Sequence, residues 1–235
     1  MRIFLLLTSA ALLTVSTAAA AQNPVVLEVH NKWNSAAPPP SAEVTTNQVM
    51  KAAKEAQKKL GGCLPTSAVV EGISPATGVR FIVEGILARR IKNGWTVVAR
   101  HPNCDNGPVR YTMSQDSSGG FSTIRTNRGQ SLANESLIGD TYSRAIFLAD
   151  VVLTRAKIKC DILSAIMGVT RVDKEEPGLG PDVFGVRYKG SWSEIWPIIL
   201  CGRTVEVNVR FTADGDGGAY TGIKEENAKL LPAAG

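Results

Sequence analysis

The sequence predicts an α+β protein in which one module occurs twice. Each copy has one helix packed on a roughly four-stranded antiparallel sheet and one disulfide. Three observations point there. Cys63 and Cys104 stand 41 positions apart, as do Cys160 and Cys201. The flanking residues match in order: Cys63-Leu-Pro-Thr-Ser67-Ala68-Val69-Val70 answers Cys160-Asp-Ile-Leu-Ser164-Ala165-Ile166-Met167, and Gly78-Val-Arg-Phe81 answers Gly185-Val-Arg-Tyr188. After the second cysteine of each pair, an alternating run closes on Gly119-Gly120-Phe121 or on Gly217-Gly218-Tyr220.

Residues 1–21 read as a removable export signal, with Arg2 as the positive start, Ile3 to Val15 as the apolar stretch, and Ala19 and Ala21 before a cut at Gln22. Residues 22–44 form a lead-in, with a short strand at Val25 to Val29 and a proline run at 38–40 that excludes helix and central strand. Module one spans 45–125. Its helix runs from Asn47 to Leu60, with Val49, Met50, Ala53, Ala56 and Leu60 at helical spacing and Gly61-Gly62 as the stop. Strands are expected at Val79 to Leu87 and Trp95 to Arg100, joined by a hairpin at Lys92-Asn93-Gly94, because Asn-Gly suits a two-residue turn. Turns at Asp105 to Pro108 and Asp116 to Gly120 bound strands at Val109 to Met113 and Phe121 to Ile124.

Residues 126–139 are polar and read as a connector. Module two spans 140–223, opening with a helix from Thr141 to Lys159. The stretch from Val172 to Pro181 is longer than its counterpart and reads as an exposed excursion. Strands follow at Phe184 to Tyr188, Glu194 to Leu200, Thr204 to Thr212 and Ala219 to Ile223. In Thr204 to Thr212 strict alternation turns Val205, Val207, Val209 and Phe211 to a core. Residues 224–235 read as a loose tail.

Four cysteines behind an export signal imply two disulfides, and three pairings are possible. The repeat favours Cys63–Cys104 and Cys160–Cys201. No Cys-x-x-Cys pair supports redox or zinc chemistry. With 26 Lys and Arg against 21 Asp and Glu, the net charge is +5; loss of Arg2 leaves about +4, spread along the chain rather than gathered with aromatics as in a nucleic-acid binder. No stretch after the leader approaches the roughly 20 apolar residues of a membrane span. A periplasmic or secreted protein follows, with no nucleic-acid partner and no integral membrane segment in the mature chain.

The chemistry-bearing residues are few. The only histidines are His30, in the lead-in, and His101, in a His101-Pro-Asn-Cys104 corner without a counterpart in module two. Glu84 and Glu194 stand on expected strands as a conceivable acid/base pair. Serine-hydrolase, zinc-protease and phosphate-loop signatures are missing. Asp214-Gly-Asp216-Gly-Gly218 tempts a calcium reading, but its counterpart Asp116-Ser-Ser-Gly-Gly120 keeps the glycines and loses the second carboxylate, so a turn is the shared requirement. No catalytic residue, metal ligand or cofactor site is therefore assigned. The excursion and the strand after it supply the candidate binding residues Glu175, Glu176, Leu179, Trp192 and Trp196. Trp192 and Trp196 share parity, so a regular strand places both on one face.

Trp196-x4-Cys201-Gly202, the run Val205-x-Val-x-Val209-x-Phe211 and Asp216-Gly-Gly218 together resemble the closing motif of small uncharacterised secreted bacterial proteins, over about 30 residues of turn glycines and strand valines. That family has no known activity to transfer. The tandem layout with one disulfide per unit is also similar to that of β-lactamase inhibitory proteins, without a matching inhibitory loop. The expected function is a non-enzymatic, exported binding or interaction protein of the bacterial cell envelope. The alternatives are an envelope hydrolase using carboxylates or His101, and a structural envelope protein that pairs through an edge strand.

Overall fold

The computed structural model describes residues 38–104 and 107–233. The export signal, Val25 to Val29, His30 and the Asp105-Asn106 part of the turn expected at Asp105 to Pro108 lie outside the described residues. The fold is α+β, with three α-helices and antiparallel sheets among those residues.

Helix α1 (Ala42–Leu60) starts earlier than its apolar spacing announces. Ser41 caps it, with Oγ accepting from the Val44 N–H at 3.3 Å, and Thr45 turns inward beside Val49, Ala52 and Ala53. It lies on an antiparallel meander of β1 (Val69–Pro75), β2 (Ile91–Arg100), β3 (Val109–Asp116) and β4 (Phe121–Arg128), in that spatial order. Between β1 and β2 the chain forms helix α2 (Arg80–Leu87), where a strand was expected. The apolar residues there serve either period, and tertiary fit decides. Ile82 and Gly85 turn inward, with Val83 and Ile86 packed beside them. The Asn93-Gly94 hairpin is also corrected: both residues lie inside β2, at a bulge. A Cβ on Gly94 would overlap the Ile82 side chain, so glycine here admits α2 onto the sheet rather than turning the chain.

Helix α3 (Glu135–Arg155) begins inside the expected connector, because Asn134 caps it with Oδ1 on the Leu137 N–H at 2.9 Å. It covers the second sheet, ordered β11 (Ala219–Leu230), β10 (Arg203–Ala213), β9 (Ser191–Leu200), with β5 (Ile166–Met167) and β6 (Arg171–Glu175) both pairing the far edge of β9. Val205, Val207, Val209 and Phe211 are buried, as their alternation requires. Most of the expected loose tail is strand. A bulge at Val207/Val209 restores register, β11 continues to Leu230, and Ala228 and Leu230 pack on the core. The expected strand at Phe184 to Tyr188 shrinks to a small hairpin of β7 (Asp182–Val183) and β8 (Val186–Arg187) within the β6–β9 connection.

Disulfides join Cys63 to Cys104 and Cys160 to Cys201, with Cα atoms 5.8 Å apart in each. Each ties the segment after its long helix to the end of a strand in that half's sheet. The two halves are joined where Gly129 forms a parallel bridge with Thr170. Thr170 N–H donates to the Arg128 carbonyl at 2.8 Å, and Gln130 N–H to the Thr170 carbonyl at 2.9 Å. Gly129 has φ +87°, and a Cβ there would overlap the Thr170 carbonyl oxygen, so the joint demands glycine.

Candidate functional site

Glu194 sits on β9, whose alternation puts it on the same face as Trp192 and Trp196. All three are buried: Glu194 and Trp196 are 0 % exposed and Trp192 is 1 %. The carboxylate accepts five hydrogen bonds. Oε1 takes the Trp192 indole N–H at 2.9 Å and the backbone N–H groups of Leu132 and Ala133 at 2.8 and 3.0 Å. Oε2 takes the Trp196 indole N–H and the Ser131 hydroxyl, both at 2.8 Å. Trp192 also stacks on Phe211, with ring centroids 5.1 Å apart. A surface role for Trp192 and Trp196 is thereby corrected. Their rings fill the second core and their only donors are spent on Glu194. The sequence carries a signal for this in Trp192-Ser-Glu194-Ile-Trp196, which places a carboxylate between two indoles on one strand face.

The proposed acid and base groups do not assemble. Glu194 is saturated and sealed, while Glu84 is exposed on α2. His101 is 6 % exposed, with Nδ1 2.8 Å from the Ser67 carbonyl and Nε2 2.6 Å from the Tyr111 hydroxyl. A carbonyl can only accept, so Nδ1 carries the hydrogen and Nε2 receives the Tyr111 O–H. Both ring nitrogens are occupied. Burial pushes the Tyr111 phenol up to about 12, with nearby Arg125 pulling the other way. Among the described residues, no group of three or more His, Cys, Asp or Glu side chains is placed to hold a metal ion.

What remains open is a cleft of about 370 Å³ between the halves. One wall is the β1–β2 connection, with Thr77, Gly78, Arg80, Val83 and Glu84. The other is the β6–β9 connection and the β10–β11 turn, with Val186, Tyr188 and Asp216 to Gly218. The first turns of α3 form the floor through Asn134, Ser136, Leu137 and Asp140. Polar contacts hold the walls to the floor. Arg80 N–H donates to the Ser136 hydroxyl at 2.8 Å, and the Asn134 amide donates to the Gly217 carbonyl at 3.2 Å. Arg80 and Asp140 pair at 2.9 Å, but their side chains are 64 % and 57 % exposed, so the pair stays screened and adaptable.

The wall comes from the segment after the expected excursion; the start of the excursion itself is strand β6, paired with β9 rather than standing free. Val186 and Tyr188 are buried, Gly78 packs against Val186, and Gly217 packs against both. Of the residues expected to bind, Glu175 ends β6 opposite Trp192 and is exposed; Glu176 is half-buried and pairs with Lys174 at 3.0 Å. Leu179 packs on the second core. None of the three lines the cleft. Sequence reasoning missed the cleft residues because no motif marks them; they converge only through tertiary packing. No protein family, curated protein or solved structure matches the chain. No helix among the described residues is long and apolar enough to cross a membrane.

Proposed function

We propose that the chain is an exported, disulfide-stabilised, non-enzymatic binding protein of the bacterial cell envelope, and that it engages its partner through the cleft between the halves. One observation carries the reading. The halves differ most in the connection between the outer strand and its neighbour, α2 in one and the β7–β8 hairpin in the other. Those two dissimilar connections face each other across the cleft. A scaffold common to both halves thus presents its unshared parts together. Two disulfides and the leader sequence support export, and the engagement of His101 and Glu194 weighs against hydrolysis by those groups.

The halves are read as copies of one ancestral unit. The equal cysteine spacing and the shared order of long helix, disulfide and strand meander support this. The resemblance of residues 196–218 to closing motifs of small secreted proteins fits the same picture of an envelope module.

The test places a photo-reactive side chain at Glu84, inside the cleft, or at Phe147, exposed on α3 outside it, followed by irradiation with envelope fractions. A discrete adduct from position 84 that is absent from position 147 is expected, and Val83→Trp, which fills the cleft, should abolish it. No adduct from position 84, or the same adduct from both positions, would overturn the reading.

A further inference from the structure

A second cleft, of about 310 Å³, uses the complementary face of the first turns of α3: Glu135, Ile138, Gly139 and Tyr142. The end of β4, from Arg125 to Arg128, forms its opposite side, and Leu60, Ile166 and Met167 add apolar surface. Three arginines serve this end of the first sheet, and they are used differently. Arg110 is consumed by structure: its two terminal nitrogens donate to the Ala133 and Ser131 carbonyls at 2.6 and 2.5 Å, and its Nε lies 3.9 Å from Glu135. Glu135 faces the cleft but is engaged by that arginine and by the Thr96 hydroxyl at 3.3 Å.

Arg125 and Arg128 have no carboxylate partner among the described residues. Arg128 donates once, to the Met167 carbonyl at 3.1 Å, and its Nε is buried without a partner. The Arg125 side chain makes no hydrogen bond or ion pair among the described residues. Burial holds both guanidinium groups below their ordinary values, and the Arg128 charge lowers Arg125 further. Beside them Asn127 is 4 % exposed; its amide N–H donates to Thr170 Oγ1 at 2.9 Å while Oδ1 is buried without a partner. Two half-buried cations without counter-charge are costly, and an anion between them removes that cost. The Tyr142 hydroxyl is already committed to the Ala165 carbonyl at 3.2 Å, so the donors open to a ligand are the arginines.

We propose that this cleft binds a small amphiphilic organic anion, its carboxylate or phosphate held between Arg125 and Arg128 and its apolar body against Leu60, Ile138 and Met167. The unpartnered Asn127 oxygen accepts an N–H or O–H beside the anionic group. The site shares no residue with the first cleft, so it stands or falls independently of the partner-binding reading.

The test titrates phenyl phosphate, benzoate, inorganic phosphate and benzyl alcohol into the full mature protein with both disulfides intact, following the arginine Nε–Hε resonances by NMR. Saturable shifts of Arg125 and Arg128 are expected with phenyl phosphate or benzoate, with weaker binding of inorganic phosphate and none of benzyl alcohol. Which of the two organic anions binds more tightly separates a phosphate ligand from a carboxylate. Arg125→Gln, which removes no existing side-chain hydrogen bond, should weaken binding about tenfold or more at unchanged thermal stability; Arg128→Gln should weaken binding as much, with a small loss of stability from its bond to the Met167 carbonyl. No saturable shift below about 10 mM, or affinity unchanged in Arg125→Gln, overturns the proposal.

Discussion

In the first half the buried polar side chains are hydroxyls, one imidazole and the Asn127 amide, with His101 and Tyr111 satisfying each other within β2, β3 and their flanks. The second half instead closes around a carboxylate whose donors come partly from residues 131–133, outside its own sheet. The apolar packing of the first core comes from its own chain segment, residues 49–121, although Thr96 and Asn127 hydrogen-bond to Glu135 and Thr170 across the joint. The second is complete only when the link between the halves has docked. The link is part of the second core, through Ala133 and the donors on Ser131, Leu132 and Ala133.

The sharpest way to break this comparison is Glu194→Ala, which strands two indole N–H groups, two backbone N–H groups and a hydroxyl in the second core. A loss of about 4 kcal/mol or more is expected in urea unfolding. A loss no greater than that of Tyr111→Phe would end the claim that the halves differ. Next come the disulfides. Replacing Cys63 and Cys104, or Cys160 and Cys201, by alanine should cost about 4 kcal/mol in either half, because both close loops of equal length. Unequal losses would locate a difference in the rest of each half.

Gly129→Ala tests the joint itself. It should cost about 2–3 kcal/mol and expose the Gln130 and Thr170 amides to hydrogen exchange. Tyr111→Phe leaves His101 Nε2 without its donor and should cost about 1–2 kcal/mol. Burial raises the Tyr111 phenol from 10.0 to about 12 in the folded chain, so its contribution is complete below pH 10.0 and is lost as pH rises through about 12. That alkaline loss should vanish in the variant.

The smallest effect is at Asp116, in the β3–β4 turn. The Ser118 hydroxyl, and then the Gly120 and Ser118 N–H groups, hold its carboxyl below the ordinary range. A lowered folded value means stabilisation present above the unfolded value of 3.8 and lost as pH falls through the folded one. An NMR titration of the side chain should show this shift, and Asp116→Asn should alter stability only slightly.

Features governed by local chemistry were readable from sequence: the cysteine pairing, the end of α1 at Gly61, the glycine turns and the alternation of β10. Features governed by fit were not. Residues 79–87 carry apolar side chains compatible with both periods, and only the approach of Ile82 to Gly94 selects the helix. Gly94 was misread for the same reason, since Asn-Gly signals a turn unless a neighbour needs the space. Glu194 reads as half of an acid/base pair with Glu84 because nothing local reveals where Ser131, Leu132 and Ala133 come to lie. The arginine cleft is scattered over module one, the connector and module two, from Leu60 to Met167, and no local pattern joins its residues.

The disulfides pair each cysteine with the next one along the chain. For a polypeptide oxidised as it emerges from a translocon, this order has a kinetic consequence. Cys104 meets a single available thiol, Cys63, and that bond can close before Cys160 appears. Cys201 then finds only Cys160. Oxidation in order of emergence reaches the native set directly, with no shuffling step, so an oxidant without isomerase activity is sufficient for the covalent part of maturation.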